Sequence, residues 1–147
     1  MIRTAQKTDM EQLLQIWLNS NIDAHDFIPP KYWIDNYPLV ADQLPRADIY
    51  LYEADGKIYG FVGVMDGYIA GIFVDKAHRS AGIGSQLLNH VKALYPTLSL
   101  GVYQKNQRAV RFYLREGFAI NNEQLDESTG EIEYTMFWQR NNTAPNI

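Results

Sequence analysis

The sequence contains no cysteine. That absence excludes a disulfide framework, a thiolate nucleophile and any cysteine-ligated zinc or iron–sulfur centre, and it fits a reducing, cytoplasmic location. No uninterrupted apolar run approaches the ~18 residues a membrane helix needs, so no membrane partner is expected. The opening Met1-Ile2-Arg3-Thr4-Ala5-Gln6 lacks the apolar core of a signal peptide. Histidine is scarce as well: His25, His78 and His90 have no metal-ligand spacing, and no metal is expected. Basic residues are outnumbered, 13 against 17 acidic, and the net charge of −4 argues against a nucleic-acid partner. What remains is ordinary globular material of 147 residues, 46% apolar and 20% charged, which excludes intrinsic disorder. No repeat or linker divides it. The expectation is a single domain over 1–140 and a polar tail over 141–147.

One absence is local. From Lys76 to Arg115 there is no Asp or Glu, while Lys76, Arg79, Lys92, Lys105, Arg108, Arg111 and Arg115 all fall there. A carboxylate-free stretch in an acidic chain suggests a face turned toward an anion. The plain alternative is chance clustering on a solvated surface.

The patterning predicts an order of elements. Ile2–Ala5 is a short strand. Thr8 and Glu11 have the spacing of a capping box, opening a helix with Leu13, Ile16 and Trp17 on one face that stops near Asn19–Asn21. A loop over His25–Pro30 leads into a second helix from Pro30 to about Leu44. Ile49–Glu53, Ile58–Val64 and Tyr68–Val74 read as strands of a meander, turned at Asp55-Gly56 and Asp66-Gly67. Then the grammar changes. A helix over Gly82–Tyr95 buries Ile83, Leu87, Leu88, Val91 and Leu94; Leu98–Tyr103 is a strand; Asn106–Glu116 is a helix closed by Gly117. Phe118–Asn121 and Glu131–Gln139 are the last strands. The class is α+β around one mixed sheet.

The segment from Phe73 to Ser85 runs strand, basic loop, helix. A helix N-terminus offers unpaired N–H groups and partial positive charge, so it binds phosphate readily. Gly82 and Gly84 would let the backbone approach a pyrophosphate, and Arg79 could add a charge-assisted bond from the rim. Gly-Lys-Ser/Thr is absent, and Leu87 stands where a dinucleotide fingerprint needs its third glycine. Taken alone, the glycines equally suit a tight entry turn.

Arg79-x-x-Gly82-x-Gly84 after a strand resembles the acetyl-CoA signature of the GNAT superfamily of N-acetyltransferases. A second element of that family follows as Asn106-x-x-Ala109-Val110-Arg111-Phe112-Tyr113-x-x-x-Gly117-Phe118, and the order of elements matches from Ile2 to Gln139. The resemblance implies a single GNAT-like domain with a mostly antiparallel sheet of about seven strands and about four helices. It also implies a V-shaped cofactor slot between the strands near 68–74 and 98–103. The backbone of Ile72, Phe73 and Val74 would pair with the pantetheine arm. Arg79, Ser80, Ala81, Gly82, Ile83, Gly84 and Ser85 would hold the pyrophosphate, with Asn106 and Tyr113 further along the cofactor. Gly71 and Gly101 sit inside the two slot strands, where glycine marks a bulge or a close approach.

The implied activity is direct transfer of an acetyl group from acetyl-CoA to a primary amine. A backbone N–H of Ile72–Val74 would polarise the thioester carbonyl and Tyr113 would protonate the departing thiolate. The acceptor, a small amine or a protein lysine or N-terminus, stays open, as does monomer or homodimer. A non-catalytic acyl-CoA sensor is the rival from another class. Candidates for the base that deprotonates the amine are His25, Asp26, Glu53 and Asp66, of which His25 and Asp26 fall in the loop that lines the acceptor site in this family. Tyr32, Trp33, Tyr37, Tyr68 and Tyr103 are candidate acceptor-pocket aromatics.

Overall fold

The structure, a computed structural model, describes residues 1–140; the tail expected over 141–147 lies outside them. The elements in chain order are β1 (Ile2–Thr4), α1 (Met10–Ala24), α2 (Pro30–Gln43), β2 (Asp48–Ala54), β3 (Lys57–Met65), β4 (Tyr68–Val74), α3 (Ile83–Leu94), β5 (Thr97–Tyr103), α4 (Gln107–Arg115), β6 (Ala119–Asp126) and β7 (Glu131–Gln139). The seven strands form one sheet in the order β1-β2-β3-β4-β5-β7-β6. Every neighbouring pair is antiparallel except β4 and β5.

That exception makes the slot. β4 and β5 are paired only at Tyr68↔Ser99 and Ile69↔Leu100. Beyond Leu100 the two strands separate. The β3–β4 ladder slips between Gly63↔Gly71 and Val64↔Ile69, so Ala70 has no partner and a bulge falls directly before Gly71. A bulge bends its strand and steepens the local twist, which here turns the end of β4 away from β5.

The sheet is covered on both faces. One core gathers Val62, Val64, Leu100 and Met136 with Ile83, Leu87, Leu88 and Val91 of α3 and Tyr113 of α4. The other gathers Leu51, Phe61 and Tyr103 with Leu13, Leu14 and Trp17 of α1 and Trp33 of α2. The slot therefore opens between helix pairs lying on opposite faces.

Four expectations need correction. The Thr8–Glu11 box does not form. Asp9, not Thr8, organises the start of α1: its Oδ2 accepts the Gln6 N–H at 2.7 Å while Arg3 clasps both of its oxygens. Nor does α1 stop near Asn21; it runs to Ala24, because the Asn21 side chain turns back to donate to the Trp17 carbonyl at 2.9 Å instead of ending the helix. Leu94 is exposed at the last turn of α3, not buried. Finally, β6 continues past Asn121 to Asp126. It is an edge strand whose polar side chains face solvent, so it carries no apolar alternation to mark its length.

Candidate active site

A cavity of about 880 Å³ follows the slot and passes along the starts of α3 and α4. It is lined by the end of β4 (Ile72, Phe73, Val74), by Arg79, Ser80, Gly82, Ile83, Gly84 and Ser85, and by Asn106, Tyr113 and His25. These were separate expectations along the sequence, and the fold brings them to one site. Ala81 and Asp26 are not among the lining residues.

The loop between β4 and α3 has the geometry of an anion nest. Ser80 has φ +70° and Gly82 has φ +80°, so two left-handed residues curl the chain just before the helix. The first hydrogen bond of α3 runs from the Gln86 N–H to the Gly82 carbonyl, which leaves the N–H groups of Ile83, Gly84 and Ser85 without a helical partner. A Cβ at Gly84 would rest 3.4 Å from the Phe112 ring, a contact that uses space between α3 and α4 rather than clashing. The Ser85 hydroxyl is already engaged, donating to Glu116 Oε2 at 2.8 Å.

Positive charge surrounds this nest. Of the bases in the carboxylate-free stretch, Arg79, Arg108, Arg111 and Arg115 line the cavity. The last three lie at helical spacing on one face of α4, a signal the charge pattern contained but that names no residue until the helix is placed. Arg79 does not point freely at the nest. Its Nη1 donates to Asp23 Oδ2 at 2.7 Å, and Lys76 approaches the same carboxylate at 3.4 Å. The Arg79 hydrogen bond holds the Asp23 carboxyl below its ordinary range. Nothing in the sequence pattern singles out Asp23.

At the other end of the cavity, α4 begins at Asn106, whose Oδ1 accepts the Ala109 N–H at 3.3 Å as an N-cap. Its amide nitrogen faces His25 Nε2 at 3.2 Å. His25 Nδ1 in turn donates to the Asn21 carbonyl at 2.9 Å, so the ring is the neutral Nδ1–H form with Nε2 accepting. The imidazole stacks on Trp33 and packs edge-on against Phe27 and Tyr103. Burial pushes its pKa down.

Tyr113 comes from α4 and is buried against Phe112 and Phe118. Among the described residues its hydroxyl has no hydrogen-bond partner, and it reaches the cavity lining. Burial pushes its pKa well above the ordinary tyrosine value, with the Tyr68 hydroxyl adding to the rise.

The candidate bases fare less well. Glu53 is tied to Arg3 at 3.1 Å on β2. Asp66 sits in the β3–β4 turn with φ +51°, and Asp26 is exposed. His25 lines the cavity, but both ring nitrogens are already engaged. Of the aromatic candidates, Trp33 and Tyr103 are core, Tyr32 and Tyr37 pack against it, and Tyr68 reaches the mouth of the slot. Among the described residues no group of His, Asp or Glu is placed to hold a metal ion, and no helix is long and apolar enough to cross a membrane.

The acetyltransferase (GNAT) domain family matches residues 45–120. Peptidyl-lysine N-acetyltransferase YiaC of Escherichia coli is 40% identical over 140 residues, spanning 94% of this chain and 96% of that protein. Peptidyl-lysine N-acetyltransferase YjaB of Salmonella typhimurium is 30% identical over 88% of this chain and 90% of its own length. The solution structure of apo YjaB from Escherichia coli superposes with a TM-score of 0.83 at 26% identity, covering 94% of this chain and 96% of that one.

Proposed function

The chain belongs to the GNAT acetyltransferases, N-acetyltransferases that use acetyl-CoA, and on that premise we propose that its acceptors are lysine side chains of proteins. The observation that carries this reading is the likeness to YiaC, named a peptidyl-lysine N-acetyltransferase, over nearly the whole of both chains. A lysine offers a narrow aliphatic stem and a cationic tip, and on the α1–α2 side of β5 the Phe27 ring packs edge-on against Tyr103, whose hydroxyl donates to Asp126.

The residues of the cavity divide the work. Acetyl-CoA supplies an acyl group activated as a thioester. The unpaired N–H groups at the start of α3 hold its pyrophosphate, and Arg108, Arg111 and Arg115 add positive charge around it. Past Ile69, β4 has no ladder partner on the β5 side, so backbone groups of Ile72–Val74 are left to pair with the pantetheine amides and to polarise the thioester carbonyl. Asn106, held by His25, presents its amide beside the same arm. Tyr113 stays protonated across the neutral range and gives its proton to the departing sulfur. The apolar surroundings that disfavour its phenolate also disfavour a thiolate, so both anions are raised together.

The test is acetyl-CoA turnover, read as free thiol, across lysine peptides, polyamines, free amino acids and aminoglycosides. Lysine peptides should be the preferred class. Turnover of a small amine with none on any peptide would overturn the lysine reading.

A further inference from the structure

The missing side chain of Gly101 makes room for two others. A Cβ placed there would lie 2.9 Å from Glu133 Oε2 and 3.2 Å from the Tyr68 hydroxyl. A carboxylate from β7 and a phenol from β4 therefore converge on the backbone of β5, one residue past the point where β5 parts from β4. Glu133 stands opposite Tyr103 in the β5–β7 ladder, which places both side chains on the α1–α2 face of the sheet. Its Oε1 accepts from the Gln124 amide at 3.0 Å, leaving Oε2 as the oxygen laid over Gly101. Lys105, two residues past the end of β5, pairs with Glu131 at 3.0 Å. Among the described residues no Lys, Arg or His pairs with Glu133.

A half-buried carboxylate without a cation, at the mouth of a slot whose acceptor is cationic, has an evident counterpart. We infer that Glu133 receives the acceptor ammonium and takes its proton, an inference that rests on the lysine reading above. At neutral pH an alkyl ammonium, with a pKa near ~10.4, has no lone pair to attack with. One N–H bond breaks, its electron pair stays on nitrogen, and the proton forms an O–H bond at Glu133 Oε2. In water that transfer runs uphill. The attack that consumes the free amine draws the transfer forward. The freed pair forms the C–N bond at the acetyl carbonyl carbon as the C–S bond breaks, and the sulfur takes the Tyr113 proton. The proton held at Glu133 leaves to water, and Tyr113 takes one back from water. The second surplus proton of the nitrogen leaves to water. Ammonium and thioester thus become amide, thiol and one released proton.

Glu133→Gln keeps the shape and removes the charge and the basicity. Two acceptors separate its role from a structural one: a lysine peptide, and the same peptide with an aminooxy group in place of the lysine amine, which is unprotonated at pH 7 and needs no base. The variant should lose ~10²–10⁴-fold in kcat/KM on the lysine peptide and less than about tenfold on the aminooxy peptide. Its KM for acetyl-CoA and its melting temperature should stay near those of the parent. Equal losses on both acceptors, or no loss on lysine, would overturn the Glu133 assignment alone. A parent enzyme inactive on lysine peptides would overturn the lysine reading and this inference with it.

Discussion

Asn106 and His25 are 81 positions apart in sequence and share a hydrogen bond of 3.2 Å at the junction of the two helix layers. The bond has only one workable arrangement. Asn106 Oδ1 is committed to the Ala109 N–H as the cap of α4, so its NH₂ must face His25, and His25 must be neutral to accept it. The end of α1 and the helix carrying Tyr113 are coupled through the protonation state of one imidazole.

A pH dependence follows. Burial lowers the His25 pKa below its ordinary 6.5. Above that pH the ring is neutral in the folded and unfolded chain alike, and its contribution to stability is fully present. Below it the unfolded chain binds a proton that the folded chain does not, so stability falls with pH until the folded ring titrates too. The melting temperature of the parent should therefore decline from about pH 6.5 toward pH 5. In His25→Phe, which keeps the ring stack and deletes both hydrogen bonds, that slope should flatten. The variant should also start about 1–3 kcal/mol less stable, because the Asn106 amide loses its partner, while the Asn21 carbonyl keeps the backbone N–H of residue 25. Parallel pH profiles for the two proteins would show that His25 is not the titrating group.

The proposed pyrophosphate site at the start of α3 makes a sharper claim about binding. Gly84→Ala should fold normally, since its methyl meets only the Phe112 ring at 3.4 Å. Gly84→Glu sets a negative charge among N–H groups meant for an anion, and acetyl-CoA affinity should fall by ~10-fold or more with the circular dichroism spectrum intact. Gly82 differs, because its φ of +80° is costly for any residue with a Cβ. Gly82→Ala should destabilise the protein by about 1–2 kcal/mol even without ligand. Isothermal titration and thermal melts separate the two effects. Unchanged acetyl-CoA affinity in Gly84→Glu would move the pyrophosphate elsewhere.

The bounds of β4 and the start of α2 at Pro30 are legible in sequence because local signals set them: Asp66-Gly67 forces a turn, and proline suits the first turn of a helix. The glycine turn that opens α3 is legible for the same reason, as glycine spacing and helix onset lie within a dozen residues. The pairs His25–Asn106, Asp23–Arg79 and Gly101–Glu133 are not. Each joins distant segments, and each depends on strand register or helix placement, which residue type and local period do not encode. Asn21 misleads for a related reason. An asparagine near a helix end reads as a stop, but this one is buried and bonds back to Trp17, a fact that only packing decides.

The Asp23–Arg79 pair predicts opposite outcomes for two substitutions. Arg79 sits on the cavity rim with its guanidinium partly neutralised by Asp23. Arg79→Ala removes a positive charge from the anion site and should weaken acetyl-CoA binding. Asp23→Asn leaves the arginine in place and removes a negative charge beside it, so binding should tighten by roughly two- to fivefold at low salt, in keeping with the small worth of a partly exposed pair. The gain should shrink as salt screens the phosphates. A weaker complex in Asp23→Asn would mean that the carboxylate holds Arg79 in its working position, and that orientation outweighs charge.

Tyr113→Phe separates chemistry from binding. The ring is packed against Phe112 and Phe118 and its hydroxyl has no hydrogen-bond partner among the described residues, so the substitution leaves no polar group stranded and the fold should be undisturbed. If the hydroxyl protonates the departing sulfur, its loss should lower kcat by ~10²–10⁴-fold. The KM for acetyl-CoA should move far less, since the α3 amides, the arginines of α4 and the β4 backbone are untouched. The same burial that raises the Tyr113 pKa predicts no loss of activity from its ionisation anywhere in the neutral range. A donor thioester with a more acidic thiol leaves more easily without a proton, and with it the defect should shrink. A kcat within about twofold of the parent, with acetyl transfer shown to be rate-limiting, would reduce Tyr113 to a packing residue and give the proton to water.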